Sequence, residues 1–256
     1  MSGASLVKTQ RSGALATLTL NRPQRHNSLV PELLNELWVA LEDVGADPSI
    51  RAVVLGAEGR SFSTGGDVKA FFSAGEGLAE YAAETVGLLN RVILTMLRLP
   101  QPIVAAVHGV VTGGSIGLVL GSDVVLMARE ATITPWYCVV GFSPDGGWTA
   151  MLPDLIGTKR TSDILVRNLS ITADQAAAWG LVSEVVDEGS TVAAAQGVAS
   201  RIAEMVPGSV TSAKRLLWRN HQEIAAKLEA ERVAFVDQIL EPEARQGMAA
   251  FLGRPR

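Results

Sequence analysis

The sequence predicts an α/β fold, a core of buried strands alternating with helices that ends in a helical tail. Three observations predict it. The runs 52–56, 102–107 and 123–127 are short, apolar and bounded by turn residues, as strands buried on both faces are. Between them lie stretches with apolar residues at helical spacing, and strands alternating with helices build α/β layers. From residue 143 onward the pattern is largely helical. We expect a core over 1–190 and a helical region over 191–256, with no internal repeat or low-complexity linker.

The chain opens on a β-hairpin, in which Ala14, Ala16, Leu18 and Leu20 share one strand face and Thr17 and Thr19 the other. Asn21-Arg22-Pro23 ends that strand, because proline has no N–H for the ladder. Pro31 opens a helix with Leu34, Leu37, Trp38 and Leu41 at i, i+3, i+4 and i+7, and Gly45 and Pro48 close it. After the strand at 52–56 come a polar glycine loop, 59–67, and a mostly helical stretch to about Leu99. The strand at 102–107 runs into His108-Gly109 and the turn Thr112-Gly113-Gly114-Ser115, and the third strand follows. In the last helices Ile224, Leu228, Phe235 and Ile239 fall on one face.

Apolar residues at 48% and charged residues at 19% are those of a globular protein with a substantial core. A net charge of −4, without any basic run, gives no electrostatic basis for binding nucleic acid or an anionic membrane. Cys138 is the only cysteine, so no intrachain disulfide is possible, and in apolar company it is expected to be packed. The first twenty residues carry Lys8 and Arg11 and alternate in polarity, unlike a secretory signal, and the apolar stretches are too short to span a bilayer. A cytoplasmic location is the expectation. No histidine–carboxylate cluster has metal-ligand spacing, so no metal site is predicted.

Two glycine turns carry the functional argument. A strand that enters a glycine turn and then a helix offers unsatisfied N–H groups at its tip, and glycine lets a ligand oxygen approach without meeting a Cβ. Gly65-Gly66 and Gly113-Gly114 are such turns. Two of them converging on one oxygen would form an oxyanion site from backbone alone, whereas spacing by itself equally allows ordinary tight turns.

The segments Leu20-Asn21-Arg22-Pro23, Asn27-Ser28-Leu29, Phe62-Ser63-Thr64-Gly65-Gly66-Asp67-Val68-Lys69 and Pro102-Ile103-Val104-Ala105-Ala106-Val107-His108-Gly109 resemble the crotonase family of enoyl-CoA hydratases and isomerases. So do Ser143-Pro144-Asp145-Gly146-Gly147, Thr172-Ala173-Asp174-Gln175-Ala176 through Gly180-Leu181-Val182, and Gly247-Met248-Ala249-Ala250-Phe251, all in the family's order. The resemblance implies a spiral of ββα units with C-terminal helices that support trimers or dimers of trimers. It implies oxyanion donors at the N–H groups of Gly66 and Gly114, and coenzyme A, as part of a thioester substrate and not as a permanent cofactor, running past Arg25, His26, Gly65, Asp67, Val68 and Lys69. Phe251 and Arg254 would meet the coenzyme's nucleotide from a neighbouring subunit.

The family's hydratases use two glutamates, at positions that are Gly117 and Tyr137 in this chain. Isomerase branches instead carry a catalytic aspartate where Asp145 stands, and one carboxylate suffices to move a proton along an acyl chain. The resemblance therefore implies Asp145 as base, with Tyr137 as a phenolic helper or a packing residue. Read without the family, Asp145 is a cap for a helix starting near Gly146. Asp67 and Asp123 read as helix caps or loop anchors, and the pocket's far wall is expected from residues 70–98, Trp136 and Trp148. Three other activities stay open: hydration with an unusual acid–base set, thioester binding without chemistry, and serine hydrolysis through Ser115 in a G-x-S-x-G pattern with His221.

Overall fold

The computed structural model describes residues 5–187 and 189–253. Strands β1 (Val7–Ser12) and β2 (Leu15–Leu20) form the antiparallel hairpin, turned at Gly13 with φ +56°. There follow α1 (Pro31–Gly45), β3 (Ala52–Ala57), α2 (Val68–Ser73), α3 (Leu78–Arg98), β4 (Ile103–Val107), β5 (Val110–Thr112) and α4 (Ile116–Leu120). Next come β6 (Val124–Ala128), β7 (Thr132–Thr134), α5 (Tyr137–Val140), α6 (Leu152–Ile156), α7 (Thr158–Arg167), β8 (Ile171–Thr172), α8 (Ala173–Ala178) and β9 (Glu184–Val186). Four helices end the chain: α9 (Thr191–Ala203), α10 (Pro207–Leu217), α11 (His221–Ile239) and α12 (Pro242–Leu252).

The large sheet has the order β1-β2-β3-β4-β6-β9, parallel throughout except for the opening hairpin. A small sheet, β5-β7-β8, lies beside it. Each winding of the chain adds a strand to the large sheet, a strand or bridge to the small one, and then a helix: β4-β5-α4, then β6-β7-α5. The loop after β3 does the same in reduced form, since Ser63 bridges Val111 before α2 begins. This spiral stacks the two glycine turns on neighbouring windings.

The central strands are buried on both faces, as their unbroken apolar runs require. Ala52, Val54, Val104, Ala106 and Leu126 face α9, whose Ala195 and Ala199 let it lie close to the sheet. The alternate residues Val53, Leu55, Ile103, Ala105 and Val107 face the main core. In that core α3 packs between α1 and α11, with Ile224, Leu228, Phe235 and Ile239 buried on the face that their spacing predicts. Asp123 anchors α10 to the sheet: it accepts from Ile103 N at 2.8 Å, Lys214 Nζ at 2.7 Å and Trp218 Nε1 at 3.2 Å.

The region after residue 143 is largely helical, as expected, with β8 and β9 added, and two other expectations need correction. Strands of two and three residues show no alternation, and Thr172 of β8 doubles as the capping-box residue of α8. Cys138 is exposed, because its one-turn helix sends Tyr137 inward and the next residue out. No helix begins near Gly146, since α6 starts at Leu152 with Met151 as its cap, so Asp145 caps nothing there. Among the described residues no helix is long and apolar enough to cross a membrane.

Candidate active site

A cavity of about 570 Å³ opens between the glycine turns, α3, α5 and the C-terminal helices. The turns meet directly. Ser63 N donates to Val110 O at 3.2 Å and Thr112 N to Ser63 O at 3.1 Å, zipping the loop before Gly65 onto β5. Gly65, at φ +70°, lies so close to the second turn that a Cβ there would meet Thr112 O at 2.5 Å and Gly113 Cα at 3.3 Å. On either side of Gly66, Leu29 N donates to Gly65 O and Asp67 N donates to Leu29 O, leaving the Gly66 amide directed away from that bridge. Gly113 and Gly114 open a single 3₁₀ turn, where N–H groups have no partner in their own helix. Neither the Gly66 nor the Gly114 amide donates to another described residue, and both residues line the cavity. Trp148 Nε1 holds the second turn from behind, donating to Gly113 O at 2.9 Å.

Asp145 meets Gly114 from the opposite side. A Cβ on Gly114 would stand 2.8 Å from both carboxylate oxygens, so only glycine lets this carboxylate lie against the turn. Gly146, at φ +66°, packs its own Cα against the Gly114 backbone with the same intolerance of a side chain. Asp145 is 6% exposed. Its Oδ1 accepts from Tyr137 Oη at 2.6 Å. Burial pushes its carboxyl up to about 7; the Tyr137 hydroxyl pulls it down and the Glu231 charge pushes it further up. Burial, then the neighbouring carboxylate, holds the Tyr137 hydroxyl well above the usual phenol range, so the phenol stays a donor. Tyr137 owes its inward aim to the residue before it: Trp136 adopts φ +65°, a strained value for a bulky side chain, and its N–H donates to Asn168 Oδ1 at 2.8 Å.

The cavity has two ends of different character. Phe71, Val86, Leu89, Phe142 and Phe235 make one end apolar, with the Phe71, Phe142 and Phe235 rings packed on one another at centroid distances of 5.2–5.8 Å. Arg25, His26, Arg60, Asp67, Val68 and Lys69 line the other. There Asp67 ties Arg22 at 2.9 Å and Arg25 at 3.0 Å and caps α2 by accepting from Ala70 N at 3.3 Å. Burial works to raise its carboxyl, but the two guanidiniums prevail and leave it below the usual range. Arg60 reaches His26 Nε2 at 2.9 Å, and His26 Nδ1 meets Ser61 Oγ at 3.0 Å. Phe251 of α12 packs edge-on against Trp136 and lines the cavity of its own chain.

The sequence-predicted residues Gly66, Gly114, Tyr137, Asp145, Arg25, His26, Asp67, Val68, Lys69 and Phe251 thus line one cavity, and Gly65 braces it. Arg254 lies outside the described residues. The far wall does come from residues 71–89 and Trp136, but Trp148 is fully buried behind the glycine turn and lines nothing. Ser115 is no nucleophile elbow: its hydroxyl is buried and donates to Thr112 O at 2.7 Å and Ser63 O at 3.1 Å, while His221 opens α11 with its ring on Trp218 O. Among the described residues no cluster of three potential metal ligands occurs.

Sequence reasoning missed Arg22, Arg60 and above all Glu231. Glu231 is 4% exposed and accepts from four donors in the turn after Asp145. A signal existed: 224, 228, 231, 235 and 239 is an unbroken helical stripe, and Glu231 stands inside it.

Comparison with known proteins identifies the family. The family model for enoyl-CoA hydratase/isomerase matches residues 10–256. A probable enoyl-CoA hydratase of Mycobacterium bovis is 35% identical over 232 residues, covering 86% of this chain and 78% of the relative. A 1,2-epoxyphenylacetyl-CoA isomerase of Escherichia coli is 31% identical over 242 residues, covering 93% and 92%. Among solved structures, an enoyl-CoA hydratase/isomerase from Mycobacterium paratuberculosis superposes with a TM-score of 0.89 at 29% identity, over 96% of this chain and 98% of that one. With its mixed α/β spiral, its C-terminal helices and its matched motifs, the chain belongs to the enoyl-CoA hydratase/isomerase family and has the crotonase fold.

Proposed function

We propose that this acyl-CoA enzyme shifts a carbon–carbon double bond, with Asp145 as the base. The observation that carries the reading is the Asp145 carboxylate: buried, lying against Gly114, and with a carboxyl raised to about 7. A base with that affinity is half-ionised near neutrality, where it can both take and return a proton. It would remove a proton from the α- or γ-carbon of the thioester. The electron pair moves to the carbonyl oxygen as an enolate, and the same proton returns at the other carbon, so the net change is the position of the double bond. The amides of Gly66 and Gly114 would receive the charge on that oxygen, where the loss of one donor costs about 3–4 kcal/mol of transition-state stabilisation. The coenzyme would leave past Arg25, His26 and Lys69 with the acyl chain toward Phe71, Phe142 and Phe235. The trimer or dimer of trimers, supported by residues 191–256, belongs to the same proposal.

The test is Asp145→Asn. We expect turnover of 3-enoyl-CoA to the conjugated 2-enoyl-CoA to fall by about 10²–10⁴-fold, with acyl-CoA affinity measured by calorimetry nearly unchanged. Unaltered turnover would remove Asp145 from the chemistry. One observation favours a second reading: the Tyr137 hydroxyl, 2.6 Å from the Asp145 carboxylate, supplies a second protic group, which hydration needs and isomerisation does not. Loss of conjugated absorbance from crotonyl-CoA in water would establish that activity. Acyl-CoA binding with neither reaction would identify a silent binding protein.

A further inference from the structure

Glu231 is a buried charge that the chemistry above leaves without a role. It occupies the apolar stripe of α11 between Leu228 and Phe235, facing the core. A charge there costs stability unless its oxygens are fully hydrogen-bonded, and a leucine would continue the stripe without that cost. Its oxygens collect four donors. Oε2 accepts from Gly147 N at 2.8 Å. Oε1 accepts from Thr149 N at 2.7 Å, Thr149 Oγ1 at 2.7 Å and Ala150 N at 2.9 Å. Burial raises the Glu231 carboxyl above the usual glutamate range, and the four donors, with no acceptor among them, work against that shift and favour the ionised form. Every donor belongs to the irregular turn that follows Asp145, where Gly146 and Gly147 both have positive φ and no helix begins until Leu152. Within the turn Met151 N and Leu152 N donate to Gly147 O and the buried Trp148 reaches Gly113 O, while the N–H groups of Gly147, Thr149 and Ala150 are bonded by α11 from 81 to 84 residues away in the chain.

We propose that Glu231 is a positioning residue that acts through Asp145, fixing the turn from Gly147 to Ala150 and supplying the charge against which Asp145 ionises. The inference rests on the reading of Asp145 as the base, but its test uses no turnover. Among the described residues the charged or titratable groups acting on Asp145 are Tyr137 from α5 and Glu231 from α11; from α3, the apolar Leu89 lies against the same glycine, Gly114. Tyr137 favours the carboxylate and Glu231 favours the acid, so the two act in opposite directions on the same proton.

The experiment is a carboxyl-carbon NMR titration of protein labelled at its aspartate and glutamate side chains, with Asp145→Asn and Glu231→Gln assigning the two resonances. In the unmodified protein Glu231 should already be ionised where Asp145 takes its proton. In Glu231→Gln the Asp145 midpoint should fall by roughly 1 pH unit, and amide exchange at Gly147, Thr149 and Ala150 should quicken. Glu231→Asp, which keeps the charge, should restore most of the midpoint. An unmoved midpoint in folded Glu231→Gln overturns the proposal. Should that variant not fold, the unmodified protein decides: Glu231 ionising only after Asp145 overturns it equally. Retained turnover in Asp145→Asn would sink the isomerase reading and leave these titrations standing, so the two failures are separable.

Discussion

Tyr137 and Asp145 form a short hydrogen bond, 2.6 Å, in the cavity wall, and its direction decides what each residue can do. The phenol donates to Oδ1 and also contacts the Asp145 carbonyl at 3.0 Å, so it spends its one proton on this neighbour. A donor to a carboxylate stabilises the ionised form, which is why the hydroxyl lowers a proton affinity that burial raises. Tyr137→Phe removes the donor and should move the acidic limb of the pH–rate profile, expected near 7 from the raised Asp145 carboxyl, to higher pH. A turnover assay across that range checks it. A rate plateau that survives above the shifted limb would mean that the phenol tunes the base; a lost plateau would mean that it also delivers a proton. Asp145 and Tyr137 were both legible in the sequence because each occupies a family motif position. Their hydrogen bond was not, since it joins residues on either side of the Gly141 turn.

At the scale of elements, the site depends on backbone segments packed without side chains between them. Gly117 in α4 illustrates the cost of changing one. A Cβ there would meet Ile93 Cδ1 of α3, and Gly146 O at 2.8 Å, so α3, α4 and the Asp145 turn close on the position where the family's hydratases have a glutamate. Gly117→Ala should therefore overpack the junction and cost about 1–3 kcal/mol in urea denaturation. Gly117→Glu should cost more and yield no hydratase activity on crotonyl-CoA, because the carboxylate has no room unless Ile93 and the turn move. The long elements behind this junction were readable: α1, α3 and α11 show their buried stripes, and β3 and β4 their continuous apolar runs. The short strands β5, β7, β8 and β9 were not, since two or three residues carry no period and their pairing is set by the spiral. Glu231 was hidden for a related reason: an acid on a helix reads as a solvent-facing residue until the turn it anchors, far away in sequence, is seen beneath it.

For the whole molecule, a base kept inside the fold has a thermodynamic consequence that a denaturation experiment reads directly. The Asp145 carboxyl rises from 3.8 to about 7 on folding. A raised folded value means that the native state binds the proton more tightly than the unfolded chain does. The stabilisation is then complete below about pH 4 and is lost progressively as pH rises through 7. From that difference, at 1.36 kcal/mol per unit, the ionised carboxylate costs the fold at most on the order of 4 kcal/mol above neutrality. Asp145→Asn keeps an acceptor for Tyr137 and cannot ionise. It should therefore exceed the wild type in unfolding free energy at about pH 8, by an amount that shrinks toward zero at about pH 4. Urea titrations of both proteins at those two conditions measure the difference of differences, in which the other carboxylates cancel. A gap that stays constant with pH would show that folding leaves the Asp145 proton affinity unshifted, and a gap still widening well above pH 7 would show that Asp145 stays protonated inside the folded protein. A gap that opens as predicted would mean that the fold gives up stability to keep an ionisable group beside the glycine turns, which is the trade expected of a site selected for chemistry over rigidity.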